Sequence, residues 1–388
     1  MNRVYIEPAW KLPLSYSNLI ANPPSGYEFI STTRFEDAFV KRLAKRGSNY
    51  WLRGWLCQQG IPIDLLMAYV RRFRHAPPDA DLTLAVTHMV LRPEPWVLDI
   101  QAELPAILVG PEWHFQKYRS LVANVLLAAH CRRILAHVEA AKRALVQSLG
   151  REQLHDKVQV VYPAVPKKEF VKRFCKSRVR ILFVGSANIP GQFEYKGGKE
   201  ALEAFVILRQ RYHNVELVVR SDVPTSIRAQ FDGTPGLEFI DRVLTGRELE
   251  MEFQRADIFL LPSHFTPSMV FIEAMSYELP VVTLDVWGSR ELVEDGRTGF
   301  VVPKSRLAPE FDPGAPWGHS RRFPEVLARV DPMVVQNLVH CTCFLIENRE
   351  FCQRMGRIAR WEVESGRFSL RKRDEALQRV LDEAISKH

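Results

Sequence analysis

The sequence predicts an α/β protein of two domains, each with a parallel sheet covered by helices. At 388 residues the chain is longer than one hydrophobic core usually organises. Short apolar runs rich in Val and Ile alternate with longer amphipathic stretches, which is typical of parallel sheets. Residues 163–177 carry two prolines and five Lys or Arg and interrupt this alternation, as linkers do.

The elements follow from this alternation in chain order. Before the linker, strands are predicted at 4–6, 82–87, 96–100, 133–136 and 158–161, and helices at 35–46, 117–129 and 138–149. After the linker, strands are predicted at 180–184, 215–219, 237–240, 258–261, 280–283 and 299–302, and helices at 197–211, 245–253, 268–277 and 289–294. An irregular insertion at 303–323 precedes three helices, at 333–347, 350–364 and 370–386.

Composition and charge limit the class of protein. Hydrophobic residues make up 46% and charged residues 25% of the chain, which excludes a disordered, coiled-coil or collagen-like chain. Residues 1–170 hold 22 Lys and Arg against 15 Asp and Glu, and most of the net charge of +8 lies there. A basic N-terminal half suits a lipid phosphate, a membrane surface or an acidic glycan, or it is a solvated surface without a partner.

Cysteine spacing and hydropathy bear on location. The six cysteines form no CxxC pair, so we expect reduced thiols and no metal site. No signal peptide is evident, and the longest apolar run, 121–129, is far short of the ~20 residues that span a bilayer. We expect a cytoplasmic protein, with peripheral contact at the inner membrane face as an option. The basic stretches 41–46 and 71–74, near Trp51, Trp55 and Phe73, suit an anionic membrane or an exposed helix face. No module indicates nucleic-acid binding.

Candidate site residues follow the strands of the second half, because ligands of doubly wound sheets bind outside the carboxyl ends of the strands. Gly185 and Ser186 open the first such loop, and Lys196 precedes two glycines at a helix start. Glycines allow close backbone approach, and a helix start with an adjacent lysine favours an anion. A surface lysine at a loop end is the alternative.

Two further loops carry candidates. Ser268 is predicted as the N-cap of a helix whose first N–H groups, at Ser268, Met269 and Val270, suit an anion. Glu273 lies one and a half turns further on, where a carboxylate can accept hydrogen bonds from paired hydroxyls. Glu291 follows the strand 280–283 and reaches the same region or caps its own helix.

An ordered set of motifs runs from residue 183 to residue 302. It comprises Phe183-Val-Gly185, Lys196-Gly-Gly, Ala256-Asp257-Ile-Phe-Leu-Leu-Pro-Ser263, Phe271-Ile-Glu273-Ala-Met, Leu279-Pro-Val-Val, Gly288-Ser-Arg-Glu291-Leu-Val and Gly296-Arg-Thr-Gly-Phe-Val-Val. In order and spacing this set resembles the donor domain of the retaining GT-B glycosyltransferases of family 4, the glycosyl transferases group 1. The resemblance implies two Rossmann-like domains that face each other across a cleft, with a C-terminal helix crossing back to the N-terminal domain. It places the acceptor domain at 1–165, the nucleotide-sugar domain at 166–365 and the returning helix at 366–388.

The resemblance also implies roles for individual residues. Lys196 neutralises the donor diphosphate, and the helix start at Ser268 to Val270 supplies backbone N–H groups to it. Glu273, the second glutamate of the family's E-x7-E pair, holds the ribose hydroxyls. The loop that contains Val243 lies beside the nucleobase. The remaining donor-binding candidates are Gly185, Ser186, Thr266 and Glu291.

The sequence departs from the family pattern at three positions. Phe265 replaces the first glutamate of E-x7-E, Ser186 replaces the usual arginine, and Ser268 replaces the glycine at the phosphate helix. Arg220 or Arg290 is a candidate to restore the missing positive charge.

On the acceptor side, catalytic candidates follow two strands of the first half. They are His88 after the strand 82–87, and Asp99 and Glu103 after the strand 96–100. They join Lys196 as the catalytic candidates, and the alternative for His88 is a packed or capping histidine.

The function implied is metal-independent transfer of a sugar, with retention of anomeric configuration, as in polysaccharide biosynthesis. The donor is a nucleotide sugar, with a UDP- or GDP-sugar favoured, and no cofactor is expected. The acceptor is a glycan, a lipid-linked or a small molecule. The alternatives are a non-catalytic sugar- or glycan-binding protein of the same fold, since Phe265 and Ser186 remove polar groups, and a GT-B phosphorylase.

Overall fold

The structure is a computed structural model, in which the chain forms two compact units. It describes residues 1–8, 14–31, 54–73, 75–110, 114–175, 177–186, 191–265, 268–306, 327 and 329–386. The N-terminal unit is Met1–Pro163 together with Arg371–His388, and the C-terminal unit is Ala164–Gly318 together with Arg322–Leu370. The predicted helix at 35–46 and most of the predicted insertion at 303–323 lie outside the described residues.

The N-terminal unit contains a six-stranded parallel sheet. Its strands are β1 (Asn2–Pro8), β2 (Tyr27–Ile30), β3 (Leu82–Val86), β4 (Trp96–Asp99), β5 (Cys131–Ala136) and β6 (Val158–Val160). Its helices are α1 (Leu14–Ala21), α2 (Ile63–Arg71), α3 (Phe115–Leu127) and α4 (Glu139–Leu149). The strand order β2-β1-β3-β4-β5-β6 reverses direction between β1 and β3. Strand β2 and helices α1 and α2 were not predicted from the sequence.

The C-terminal unit contains a second six-stranded parallel sheet. Its strands are β7 (Val179–Val184), β8 (Val215–Arg220), β9 (Leu237–Ile240), β10 (Ile258–Leu260), β11 (Val281–Leu284) and β12 (Gly299–Val302). Its helices are α5 (Gln192–Tyr195), α6 (Gly198–Arg211), α7 (Thr225–Phe231), α8 (Gly246–Arg255), α9 (Ser268–Ser276), α10 (Ser289–Leu292), α11 (Pro332–Glu347) and α12 (Arg349–Glu364). The order β12-β11-β10-β7-β8-β9 is that of a Rossmann sheet, with the reversal between β7 and β10.

The strands are apolar on both sides because helices cover both faces of each sheet. Every residue of β3, β10 and β11 is buried, so these strands have no polar side for solvent. Helix starts show the local rules as well. The side chain of Thr245 accepts the N–H of Glu248, whose carboxylate accepts the N–H of Thr245, and this capping box begins α8.

The last helix, α13 (Leu370–Ser386), packs in the core of the N-terminal unit. Leu377, Val380, Leu381 and Ala384 recur at helical spacing and join the core cluster that contains Val4 and its neighbours. This packing places the C-terminal residues of the chain on the first sheet, whereas α12 belongs to the C-terminal unit.

The segment between the sheets is anchored by basic side chains. Residues 161–175 form neither helix nor strand. The ammonium of Lys172 donates to the carbonyls of Gln254 (3.2 Å) and Ala256 (2.5 Å), which end helix α8. Arg360 of α12 donates to the carbonyl of Lys168 at 2.7 Å. These charged hydrogen bonds fix the start of the C-terminal unit.

Candidate functional site

The carboxyl ends of β7 and β10 lie at the switch point of the second sheet, and their loops touch there. Gly197 has φ +73°, and a Cβ built on it would lie 2.0 Å from the carbonyl oxygen of Pro262. The N–H of His264 donates to the carbonyl of Tyr195 at 2.9 Å. Only glycine permits this approach, which sets the start of α6 against the loop after β10. The switch point is where doubly wound sheets bind ligands.

Lys196 lies inside this contact, between Tyr195 and Gly197, and it is half-buried. A buried contact between two side chains links α6 to the loop after β10. His264 Nε2 lies 2.9 Å from Glu200 Oε1, and both side chains are buried. Lys196 and the N-terminus of a 14-residue helix therefore lie next to each other at this switch point.

Arg220 ends β8, the neighbour of β7, and it contacts the loop that holds Gly185 and Ser186. Its Nη1 donates to the carbonyl of Gly185 at 2.9 Å. Its Nε is buried without a hydrogen-bond partner among the described residues. Burial lowers the pKa of Arg220. This guanidinium therefore lies beside the position of the missing arginine, where an anion would satisfy it.

Arg290, the other candidate for that charge, is already paired. Its Nε lies 2.6 Å from Asp285 Oδ2, and both side chains are substantially exposed. Arg290 lies on the four-residue helix α10 together with Glu291, which is half-buried. The ion pair leaves less of the charge of Arg290 for a ligand.

Helix α9 supplies the next set of candidates. Ser268 is already a helical residue of α9, whereas it was predicted as the N-cap before the helix. Residue 267 and the candidate Thr266 lie outside the described residues. Met269 and Val270 follow in the first turn, and Glu273 lies in the second, half-buried. Burial raises the pKa of Glu273, as does Glu250, whereas Lys168 opposes the shift.

The loop after β9 holds Val243, which is 59% exposed. Its neighbour Asp241 pairs with Arg228 at 2.6 Å. An exposed apolar side chain at the carboxyl end of a strand can contact a flat ring.

Two aromatic rings meet at the same edge of the sheet. Phe265 follows β10 and Trp287 follows β11, and their ring centroids lie 5.8 Å apart with an interplanar angle of 24°. The hydroxyl of Ser263 is 2.5 Å from the carbonyl oxygen of Phe265. Trp287 has φ +51°, a conformation that side chains other than glycine rarely adopt.

In the N-terminal unit, Asp99 is the centre of a buried polar cluster at the end of β4. Its Oδ2 accepts the hydroxyl of Tyr16 at 2.6 Å, its Oδ1 accepts the N–H of Gln101 at 2.8 Å, and His137 Nε2 lies 3.5 Å away. Burial alone would raise the pKa of Asp99, but His137, Tyr16 and Gln101 together lower it. Asp99 is therefore an ionised carboxylate. Glu103 lies four residues further on and is half-buried.

His88 belongs to a second buried cluster, at the switch point between β1 and β3. It is 1% exposed, its Nδ1 lies 3.0 Å from the carbonyl of Val86, and its Nε2 lies 3.4 Å from Glu7 Oε1. Arg92 Nη2 lies 2.5 Å from Glu7 Oε2. Burial lowers the pKa of His88. In this geometry His88 is a packed histidine, whose Nε2 makes no hydrogen bond within the described part of the chain.

The Glu7 cluster predicts a dependence of stability on pH. Burial alone would raise the pKa of Glu7, but His88 and Arg92 lower it from 4.5 to about 2. The carboxylate therefore stabilises the fold fully above about pH 4.5, and this contribution is lost as the pH falls through about 2. A shift of this size corresponds to about 3 kcal/mol. We expect the melting temperature by circular dichroism to fall steeply from pH 4.5 to pH 2.

Glu7→Gln should lower the melting temperature at pH 7 and flatten this acid dependence. Glu375→Gln is the matched control, because Glu375 lies on α13 in an exposed pair with Arg371 that contributes little. It should keep the wild-type dependence. An equally steep acid loss in Glu7→Gln would contradict the role of Glu7.

Several residues of these two clusters were not predicted from the sequence. Tyr16, Glu7 and Arg92 reach their clusters through tertiary packing. His137 could have been found, because it directly follows the predicted strand 133–136, as His88 follows the predicted strand 82–87. Among the described residues, no three His, Cys, Asp or Glu side chains lie close enough together to hold a metal ion.

Comparisons with known proteins find similarity to glycosyltransferases over part of the chain. Residues 178–311 match the family model described as glycosyl transferases group 1. Alpha-D-kanosaminyltransferase of Streptomyces kanamyceticus is 32% identical over 118 residues, which cover 29% of this chain and 30% of that protein. D-inositol 3-phosphate glycosyltransferase of Paenarthrobacter aurescens is 30% identical over 190 residues, which cover 44% and 45%. The chain spans less than half the length of these curated relatives.

A solved structure decides the fold class. HepE of Anabaena, in complex with UDP and glucose, aligns with 98% of this chain and 99% of its own, with a TM-score of 0.60 and 15% identity. The chain has the GT-B fold. The fold class predicted from the motifs is thus confirmed, and the C-terminal unit carries a region similar to the glycosyl transferases group 1. At this identity the alignment establishes the fold alone.

Proposed function

We propose that this chain is a glycosyltransferase that moves a sugar from a nucleotide sugar, a UDP- or GDP-sugar, to a glycan, lipid-linked or small-molecule acceptor. The observation that carries the proposal is the switch point between β7 and β10. There Lys196 and the start of α6 lie against the loop after β10, within the region that matches the glycosyl transferases group 1.

The charge of a nucleotide-sugar donor is complementary to the groups at this edge of the sheet. Its diphosphate carries negative charge that Lys196, Arg220 and the first N–H groups of α6 and α9 can neutralise. Glu273 accepts hydrogen bonds from the ribose hydroxyls, and Val243 contacts the base. Gly185 gives the donor a close approach to the backbone at the end of β7, while Ser186, Thr266 and Glu291 remain candidates for polar contacts.

Transfer breaks the bond between the anomeric carbon and a diphosphate oxygen, which leaves with the electron pair. The acceptor oxygen forms the new bond to the anomeric carbon and gives up its proton. With retention, the acceptor attacks from the face that the diphosphate leaves, so the departing oxygen is placed to take that proton. Lys196 and Arg220 stabilise the charge that develops on the diphosphate. The proposal therefore needs no metal ion.

The acceptor binds to the N-terminal unit in this proposal. Glu103 lies beyond the end of β4, is half-buried, and can accept a hydrogen bond from an acceptor hydroxyl. Asp99 and His88 are buried, and both oxygens of Asp99 already accept hydrogen bonds, so neither side chain contacts the acceptor in this arrangement.

One observation favours a second candidate, a sugar-binding protein without turnover. Phe265 stands where the family's first glutamate would contact the donor sugar, and it offers no polar atom. Product formation with a donor and an acceptor separates the two candidates. A phosphorylase would instead use inorganic phosphate and need no nucleotide.

Calorimetric titration with UDP, GDP, ADP and CMP tests the donor site. We expect one nucleoside diphosphate to bind at micromolar dissociation constant. Lys196→Ala should weaken it because it removes a charge-assisted contact to the diphosphate, worth about 1.5–3 kcal/mol, or roughly 10- to 150-fold. Glu273→Ala should weaken nucleotide binding as well, because it removes the carboxylate that accepts hydrogen bonds from the ribose hydroxyls.

Arg211→Ala, at the far end of α6, is a control that should bind like the wild type. Absence of binding to every nucleotide by folded protein would contradict the proposal. Binding of a nucleotide without transfer or hydrolysis of its sugar derivatives would favour the sugar-binding candidate.

Peripheral contact with an anionic membrane through the N-terminal unit is a further part of the proposal. Leu66, Tyr69, Val70 and Phe73 are exposed at the spacing of one helical face on and after α2, beside the exposed Arg72. Arg71 is buried, and 41–46, Trp51 and Arg74 lie outside the described residues. No described helix is long and apolar enough to cross a bilayer. We expect the protein to co-sediment with anionic but not with neutral vesicles. If Phe73→Asp no longer sediments more with anionic than with neutral vesicles, the exposed face of α2 is the membrane contact.

A further inference from the structure

The stacked rings of Phe265 and Trp287 form an aromatic wall at the edge of the sheet that carries the donor-site candidates. They come from consecutive loops, after β10 and β11, and these strands are adjacent and parallel. The centroid distance of 5.8 Å and the small interplanar angle make one continuous apolar face, and both side chains are half-buried.

The wall lies close to the switch point. Phe265 directly follows His264, whose N–H binds Tyr195, and Tyr195 adjoins Lys196. The hydroxyl of Ser263 holds the carbonyl of Phe265 and lies 3.3 Å from the carbonyl of Tyr195. A ligand phosphate near Lys196 would therefore bring the group attached to it towards these rings.

The backbone of Trp287 supports a role in binding. Its φ of +51° is disfavoured for a residue with a bulky side chain. Such strain persists where the surrounding structure holds the residue in place. Here the indole of Trp287 stacks on the ring of Phe265.

We propose that the Phe265–Trp287 wall selects a deoxygenated donor sugar, a hexose that lacks a hydroxyl that common hexoses carry. This inference rests on the proposed nucleotide-sugar function. A ring face attracts C–H groups and offers no acceptor to a hydroxyl. A hydroxyl placed against the wall loses its hydrogen bond to water, which disfavours its binding as for other buried polar groups. A hydrogen or methyl group at that position has no hydrogen bond to water to lose.

The test uses the nucleoside diphosphate that binds best, its hexose derivative, and the matching 3-, 4- and 6-deoxyhexose derivatives. Dissociation constants are measured by calorimetry and expressed relative to the free nucleoside diphosphate. We expect at least one deoxy derivative to bind about tenfold tighter than the parent. Phe265→Glu should reverse this preference, because a carboxylate accepts the hydroxyl. Phe265→Leu should keep the preference, since it stays apolar.

The free nucleoside diphosphate separates this inference from the proposed function. Its affinity is measured in the wild type and in Phe265→Glu, so that any effect of the new charge on diphosphate binding is divided out of the sugar preference. If no nucleotide binds the wild type, the proposed function fails. If the nucleotide binds but the parent hexose derivative equals or exceeds all three deoxy derivatives, or if Phe265→Glu leaves the ratio unchanged, the aromatic-wall inference is overturned while the donor site stands.

Discussion

Arg220→Met is expected to weaken nucleoside diphosphate binding by roughly 10- to 100-fold. The guanidinium ends β8, donates to the carbonyl of Gly185, and leaves a buried Nε without a partner among the described residues. Such a group gains from an anion, and a charge-assisted hydrogen bond contributes about 1.5–3 kcal/mol. Methionine keeps the length of the side chain and removes the charge. Titration of wild type and variant with the same nucleotide measures the difference.

Arg290→Met is the matched control. Arg290 lies at the same edge of the sheet, but its guanidinium is paired with Asp285. Because this ion pair is exposed, it contributes little to stability. We expect its affinity to change by about twofold or less. A nucleoside monophosphate should lose less than the diphosphate in Arg220→Met, because fewer phosphate oxygens are left unpaired. Equal losses in the two variants would refute the assignment of the missing charge to Arg220.

The sheets could be predicted from the sequence because burial on both faces leaves a simple pattern. All six strands of the C-terminal sheet were predicted close to their observed ranges. Strand β2 was not, because it has four residues at the sheet edge and alternates buried with half-buried side chains. Helix α7 was missed for a similar reason, since only Ile227 of its residues is buried.

The site is predicted less completely, because chemistry at the strand ends depends on contacts between loops. Lys196 and Glu273 are indicated by motif and position alone. Choosing between Arg220 and Arg290 requires their partners, which only the structure gives. The pairing of Phe265 with Trp287 joins residues 22 apart in the chain, and no periodicity could have predicted it.

Gly197→Ala is expected to destabilise the C-terminal unit by about 3–5 kcal/mol and to abolish nucleotide binding. An alanine there would keep a φ of +73°, which costs about 1–2 kcal/mol. Its Cβ would also lie 2.0 Å from the carbonyl oxygen of Pro262, so one of the two loops must move. Displacement of either loop would carry Lys196 and the start of α6 away from the loop after β10. Thermal unfolding and nucleotide titration measure the two effects.

Gly233→Ala separates the cost of the backbone conformation from the cost of the clash. Gly233 has φ +75°, and a Cβ there would meet nothing within 4 Å. We expect it to cost about 1–2 kcal/mol and to leave nucleotide binding unchanged. Because the two glycines have nearly the same φ, the extra loss in Gly197→Ala measures the contact between the loops after β7 and β10. Comparable losses in the two variants, or retained binding in Gly197→Ala, would mean that this contact does not hold the donor site together.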